Sequence, residues 1–124
     1  HSIKLAMNLQ IAMLALALSE GITLTRKAGF DPEVFLKILN STYFKTGMSE
    51  NKAYKMINDS FSPTFTLANL KKDLDTITDT ANSFGAKLPM AENAKKVYEK
   101  AIEAGFGEID YTGILAYIKE ISKK

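Results

Sequence analysis

Apolar residues recur along this chain at three- and four-residue steps, in stretches bounded by glycine, proline and short polar residues. No stretch alternates with period two between hairpin turns, so the pattern predicts helices throughout. A first helix spans about Ile3 to Ala28 and stops at Gly29, a residue suited to a left-handed cap. Asp31-Pro32 supplies an N-cap followed by proline at the first helical position, opening a short helix to about Asn40. A third helix opens with Ser49 as its N-cap and carries Ala53, Met56 and Ile57 at helical spacing. Phe61-Ser62-Pro63-Thr64-Phe65 breaks the period and reads as an extended link. Thr66 caps a fourth helix in which Leu67, Leu70, Leu74, Ile77, Ala81 and Phe84 form one stripe, ended by Gly85. Pro89 starts a fifth helix that runs to about Ala104, before Gly105, and Asp110 caps a last one with Ile114, Ile118 and Ile121 on one face. The predicted class is all-α: about six helices packed around a long apolar N-terminal helix, as a single domain over residues 1–124.

The first helix departs from the amphipathic norm, because between Leu5 and Leu18 only Asn8 and Gln10 are polar. A helix that is apolar all round has to be covered on every side. At 1.5 Å per residue it is roughly 39 Å long, more than a domain of this size readily surrounds. Cover from outside the chain, by a second subunit or another domain, is therefore expected; the alternative is that the other five helices suffice.

Composition narrows the partners. Sixteen basic and fourteen acidic residues give a net charge of +2, with the lysines spread along the chain, which argues against nucleic acid and anionic membrane surfaces. The longest uninterrupted apolar run, Ile11 to Leu18, falls short of the roughly 18 residues that cross a bilayer, and neither a signal peptide nor a membrane partner is expected. With no cysteine, disulfides and thiolate metal sites are excluded, which fits a cytoplasmic protein. The single histidine lies in His1-Ser2, native or the remnant of a purification tag, so a nucleophilic triad has no base. Asp73, Asp75 and Asp79 share a helix without the further ligands a metal needs. Gly105-Phe106-Gly107 follows a helix instead of a strand and lacks a third glycine, so it reads as a helix stop and not a dinucleotide loop.

Two places remain that carry chemistry. Lys4 and Asn8 stand at i and i+4, so an ammonium and an amide project from one face and can both donate to one substrate oxygen. Lys4 lies in the helix's first turn, where the positive end of the macrodipole disfavours a cation and so favours proton donation. The plainer reading is a solubilising lysine. Further on, Lys72 of the Lys72-Asp73-Leu74 run sits about 200° around the helix from Leu70, pointing away from the core, as a solvated lysine or a ligand-facing one. Asp73 lies nearer the edge of the stripe, able to cap or orient a neighbour. Phe65 either walls a small pocket or plugs the core.

Five pieces in order resemble the C-terminal domain of the β-hydroxyacid dehydrogenase family. They are Lys4-Leu5-Ala6-Met7-Asn8, Phe61-Ser62-Pro63-Thr64-Phe65-Thr66-Leu67, Lys72-Asp73-Leu74, Leu88-Pro89, and Gly105-Phe106-Gly107 leading to Asp110. That family includes 3-hydroxyisobutyrate dehydrogenase, tartronate semialdehyde reductase and glyoxylate/succinic semialdehyde reductase, and is related to 6-phosphogluconate dehydrogenase. The resemblance covers essentially the whole chain. It implies that Lys4 is the catalytic general acid/base, that Asn8 holds the substrate, and that Phe65 and Asp73 are substrate-pocket positions. It implies that Lys72 reaches an NAD or NADP cofactor bound mainly by an N-terminal Rossmann domain absent from these residues.

The implied function is hydride transfer to or from a small hydroxy acid or aldehyde, in a homo-oligomer, with the isolated 124 residues inactive. Two departures leave the substrate open: Met7 stands where some members carry a second asparagine, and residues 40–49 match the family's substrate-facing turn poorly. The choice between NAD and NADP depends on the absent domain. A rival reading is a non-catalytic helical interaction or dimerisation module. A third, an imine-reducing relative, is disfavoured by the presence of Lys4.

Overall fold

Helix α1 (Ser2–Lys27) is the axis on which everything else packs. The computed structural model describes residues 1–123, which carry seven α-helices and no strand. After α1 come α2 (Pro32–Asn40), α3 (Gly47–Asn51), α4 (Ala53–Ile57), α5 (Leu67–Ser83), α6 (Pro89–Ala101) and α7 (Ile114–Ile121). The ends follow local chemistry. Gly29 takes φ +91° after α1, and the Phe30 N–H closes the turn on the Thr25 carbonyl at 3.1 Å. Asp31 accepts from the Glu33 N–H at 2.9 Å and Thr66 from the Asn69 N–H at 3.1 Å, capping α2 and α5 as the sequence predicts.

The predicted third helix is in fact two short ones, which accounts for seven helices against the expected six. Thr46, not Ser49, is the N-cap: its hydroxyl accepts from the Ser49 N–H at 3.0 Å while the Ser49 hydroxyl accepts from the Thr46 N–H at 2.8 Å. Lys52, at φ −113°, then separates α3 from α4. Two other expectations need correction. Phe84 and Ile121 close the predicted stripes of their helices, yet they are 74% and 62% exposed, because each lies at the very end of its helix, past the neighbours that would cover it. The fifth helix ends at Ala101 instead of Ala104, giving way to a wide turn over Ile102–Phe106 in which Gly105 takes φ +99°.

Two clusters make the core. The larger joins Ala12 and Ala15 of α1 to Leu67, Leu70, Leu74 and Ile77 of α5, Tyr98 of α6 and Ile114 and Ile118 of α7. Tyr98 is fully buried and its hydroxyl donates to the Ala12 carbonyl at 2.9 Å, which ties α6 to α1. The smaller cluster sets Leu18 and Ile22 of α1 against Leu36, Ala53, Met56 and Leu115. These contacts cover one face of α1 only. Ile3, Met7 and Leu24 are 78%, 63% and 72% exposed, and with Ala6, Gln10 and Ala17 they make an uncovered stripe along the opposite face. The alternative weighed against outside cover, that the other helices suffice to cover α1, is therefore not met by the described residues. By length and composition alone α1 is long and apolar enough to cross a membrane, a test that the core helix of a soluble protein also passes.

Candidate functional site

Turning 100° per residue, Lys4 and Asn8 fall on the face of α1 that carries Ala12, Ala15, Ser19 and Ile22 further along. They thus sit on the inward side of the helix, where that side leaves the core and opens into a groove of about 600 Å³. Phe65, from the link before α5, and Asp73 and Thr76, from α5 itself, line the same groove. Lys52 and Thr64 complete it with Tyr111, whose ring meets that of Phe65 edge-on at 6.1 Å between centroids.

Four of the five residues singled out from sequence therefore converge: Lys4, Asn8, Phe65 and Asp73. Lys72 does not line the groove. It is exposed on the outer side of α5, and its carbonyl accepts from the hydroxyl of the groove residue Thr76 at 3.2 Å. Asp73 is half-buried, and burial pushes its carboxyl above the ordinary range, while the facing Lys4 ammonium pulls it part of the way back.

The loop that presents Phe65 is held by Asp110, an arrangement that no local sequence signal marks. Asp110, expected to cap the last helix, instead caps a single 3-10 turn, Tyr111–Gly113, that precedes α7, while α7 itself has Gly113 at its N-cap. The Asp110 side chain accepts from the Thr112 N–H at 3.3 Å and from the Thr112 hydroxyl. Its other oxygen accepts from the Thr64 N–H and the Thr64 hydroxyl, both at 3.0 Å, and from the Phe65 N–H at 3.4 Å. Lys52 Nζ donates to the first oxygen, the one that accepts from Thr112, at 3.3 Å and to the Thr64 hydroxyl at 3.1 Å, with the Tyr111 ring 4.4 Å beneath. Burial alone would push the Asp110 carboxyl up; the donors from Thr112 and Thr64 outweigh it and hold the carboxyl down at about 2. Main-chain bonds extend the clamp, from Leu67 N to Ile109 O at 2.9 Å and from Tyr111 N to Phe65 O at 2.9 Å. Lys52, Thr64 and Phe65 lie 58, 46 and 45 residues from Asp110 in sequence, so no local spacing could reveal them.

Chemically, the groove offers an ammonium and an amide on one wall, an aromatic ring and a half-buried carboxyl on the other, and solvent above. Among the described residues no three histidine, aspartate or glutamate side chains come together as a metal site.

Comparison with known proteins agrees with this architecture. The family model for the NAD-binding domain of NADP-dependent 3-hydroxyisobutyrate dehydrogenase matches residues 1–118. The chain is 31% identical over 120 residues to the uncharacterized oxidoreductase YfjR of Bacillus subtilis, covering 96% of this chain and 42% of that protein. It is 27% identical over 116 residues to glyoxylate/succinic semialdehyde reductase 1 of Arabidopsis thaliana, covering 94% and 40%. In fold it is similar to a 3-hydroxyisobutyrate dehydrogenase from Salmonella typhimurium, with a TM-score of 0.87 at 23% identity over 93% of this chain and 40% of that one. The chain thus spans about two fifths of the length of these relatives. The helical fold is shared with that structure, and the family model covering residues 1–118 leads to one conclusion: the chain belongs to the 3-hydroxyisobutyrate dehydrogenase family.

Proposed function

We propose that this chain is the substrate-binding half of an NAD(P)-dependent dehydrogenase or reductase acting on a short hydroxy acid or aldehyde. The observation that carries the reading is the convergence of Lys4, Asn8, Phe65 and Asp73 in one groove on the inward side of α1. Lys4 is exposed, as is Gln10 on the outer stripe, but it lies on the groove side of the helix.

In this reading Lys4 donates a proton to the carbonyl oxygen of the substrate, or removes it from the alcohol in reverse, and the Asn8 amide donates a hydrogen bond to the same oxygen. Phe65 closes the apolar side of the groove. Asp73, facing Lys4, keeps the ammonium directed into it. A nicotinamide dinucleotide, when bound, supplies or takes up the hydride. Lys72 suits the cofactor's phosphates, since its ammonium is free of the core and one turn from the groove residue Thr76. The phosphate loop would come from a dinucleotide-binding domain outside these 124 residues, so the isolated chain should turn over nothing and bind dinucleotide weakly. The exposed stripe of Ile3, Met7 and Leu24 would be covered in a homo-oligomer, the same surface that the interaction-module reading would use.

The test is turnover of NADH and NADPH by the complete protein against short aldehydes and 3-oxo acids, with Lys4→Ala alongside. A loss of about 10²- to 10⁴-fold in kcat, the range for a missing general acid, supports the reading. Turnover indifferent to Lys4, or none with any pair, leaves the interaction module in its place.

A further inference from the structure

The lysines are spread along the sequence, yet the fold gathers four cations at the end of α1 remote from the groove. Arg26 and Lys27 stand in the last turn of α1, Lys119 in the last turn of α7, and Lys123 just past it. With Thr23 and Ser122 they line a pocket of about 200 Å³, and no carboxylate is among its lining residues. Arg26 lies about 27 Å along the helix axis from Asn8 at 1.5 Å per residue, so this pocket is no extension of the groove.

Cations in the last turn of a helix have an ordinary explanation, since they offset the negative end of its dipole. Here that explanation uses only part of the charge. The ends of α1 and α7 amount to about half a negative charge each, and Glu120, 3.3 Å from Lys123, supplies one more. Of the four positive charges about two therefore remain. Arg26 is the fixed member of the group. It is half-buried, and its Nη2 donates to the Ile57 carbonyl at 3.0 Å. Its Nη1 is buried without an acceptor among the described residues. A buried donor of a charged group is costly to leave unmade, so this nitrogen calls for a partner the chain does not supply.

We propose that this pocket binds a small phosphate-type dianion, inorganic phosphate or a compact phosphate monoester, on Arg26 with Lys27, Lys119 and Lys123 around it. A phosphate group carries about −1.5 to −2 charge at neutral pH, which matches the surplus, whereas a monocarboxylate would neutralise half of it. Its oxygens suit the fixed fork of a guanidinium, one that is already ordered and loses little freedom on binding. The volume lies below that of pockets for drug-sized ligands, so the occupant is compact. The site stands apart from the chemistry of the groove and does not depend on that reading.

The experiment is calorimetric titration of the complete protein with sodium phosphate, at an ionic strength held constant with sodium chloride. Beside it stand the double variant Lys27→Gln with Lys119→Gln, and a control, Lys37→Gln with Lys87→Gln, which removes the same charge from lysines outside the pocket. Saturable binding is expected, weakened roughly 10- to 100-fold by the first pair and less than about twofold by the control. Acetate in place of phosphate should bind at least about tenfold more weakly. Arg26→Lys keeps the charge and loses the fork, so it should also weaken binding; if it fails to fold, as judged by circular dichroism, the lysine pair decides alone. Co-sedimentation with phosphatidylcholine vesicles containing phosphatidate, reduced by the first pair, would make a lipid headgroup the source of the phosphate, and its absence would make the ligand a free one. No saturable binding by the wild type, or an equal loss in both double variants as general charge attraction would give, overturns the proposal.

Discussion

Replacing Asp110 by asparagine removes one charge from the junction between the Phe61–Leu67 link and the start of α7, and the size of the effect follows from the structure. Asp110 is 3% exposed and accepts from the backbone and hydroxyl of Thr64 and Thr112, from the Phe65 N–H and from Lys52. Its carboxyl lies at about 2, against an ordinary 3.8. At about 1.4 kcal/mol per pH unit, this depression contributes about 2 kcal/mol at neutral pH. The sign is that of a carboxylate favoured in the folded state. The contribution is complete well above 3.8 and is lost as the pH falls through the folded value near 2.

Asp110→Asn should therefore lower the stability of the chain at pH 7 by about 2–3 kcal/mol, since its amide also turns two hydrogens toward groups that donate. The assay is urea unfolding of both proteins, followed by far-UV circular dichroism from pH 7 to pH 2. Every other carboxylate titrates in both, so the difference between the two curves isolates Asp110. That difference should stay level down to about pH 5 and lose most of its ionic part by about pH 2. A difference below about 0.5 kcal/mol at pH 7, or one that does not change with pH, would refute the account of Asp110 as a charged hub.

Two further outcomes test the packing. Gly113→Ala would place a Cβ 2.1 Å from Ile109 Cδ1 and 2.6 Å from its Cγ1, so it should cost about 1–3 kcal/mol and lower the Tm by several degrees in a thermal melt. Met7→Lys, in the middle of the uncovered stripe of α1, should reduce the molar mass measured by sedimentation of the complete protein if that stripe is the subunit interface, and leave the groove's chemistry in place.

Helix positions were legible wherever the signal was local. Asp31-Pro32, Thr66, Gly29 and Gly85 each act within one turn of themselves, and the structure ends its helices there. Periodicity failed where a stripe outran its cover, at Phe84 and Ile121, because a repeat records which side of a helix a residue is on and not whether a neighbour reaches that far. Ser49 was misplaced for a related reason. A capping box has two polar members three residues apart, and the sequence offers Thr46 and Ser49 alike, so only the fold distinguishes the cap from its partner.

The groove divides along the same line. Lys4 with Asn8, and Asp73 in the run after Lys72, stood out because each carries polar chemistry at helical spacing in apolar surroundings. Lys52 and Thr64 had no such signal, since what makes them part of the site is Asp110, 58 and 46 residues away. In a helix almost wholly apolar, neither hydrophobicity nor residue size distinguishes inside from outside: the buried face holds Leu5, Leu18 and Ile22 beside Ala12, Ala15 and Ser19, and the open stripe holds Ala6 and Ala17 beside Ile3, Met7 and Leu24. Lys4 and Asn8 fall in register with the buried face. A polar pair at the end of a close-packed surface is directed at whatever space lies where the packing stops, and in this chain that space is the groove.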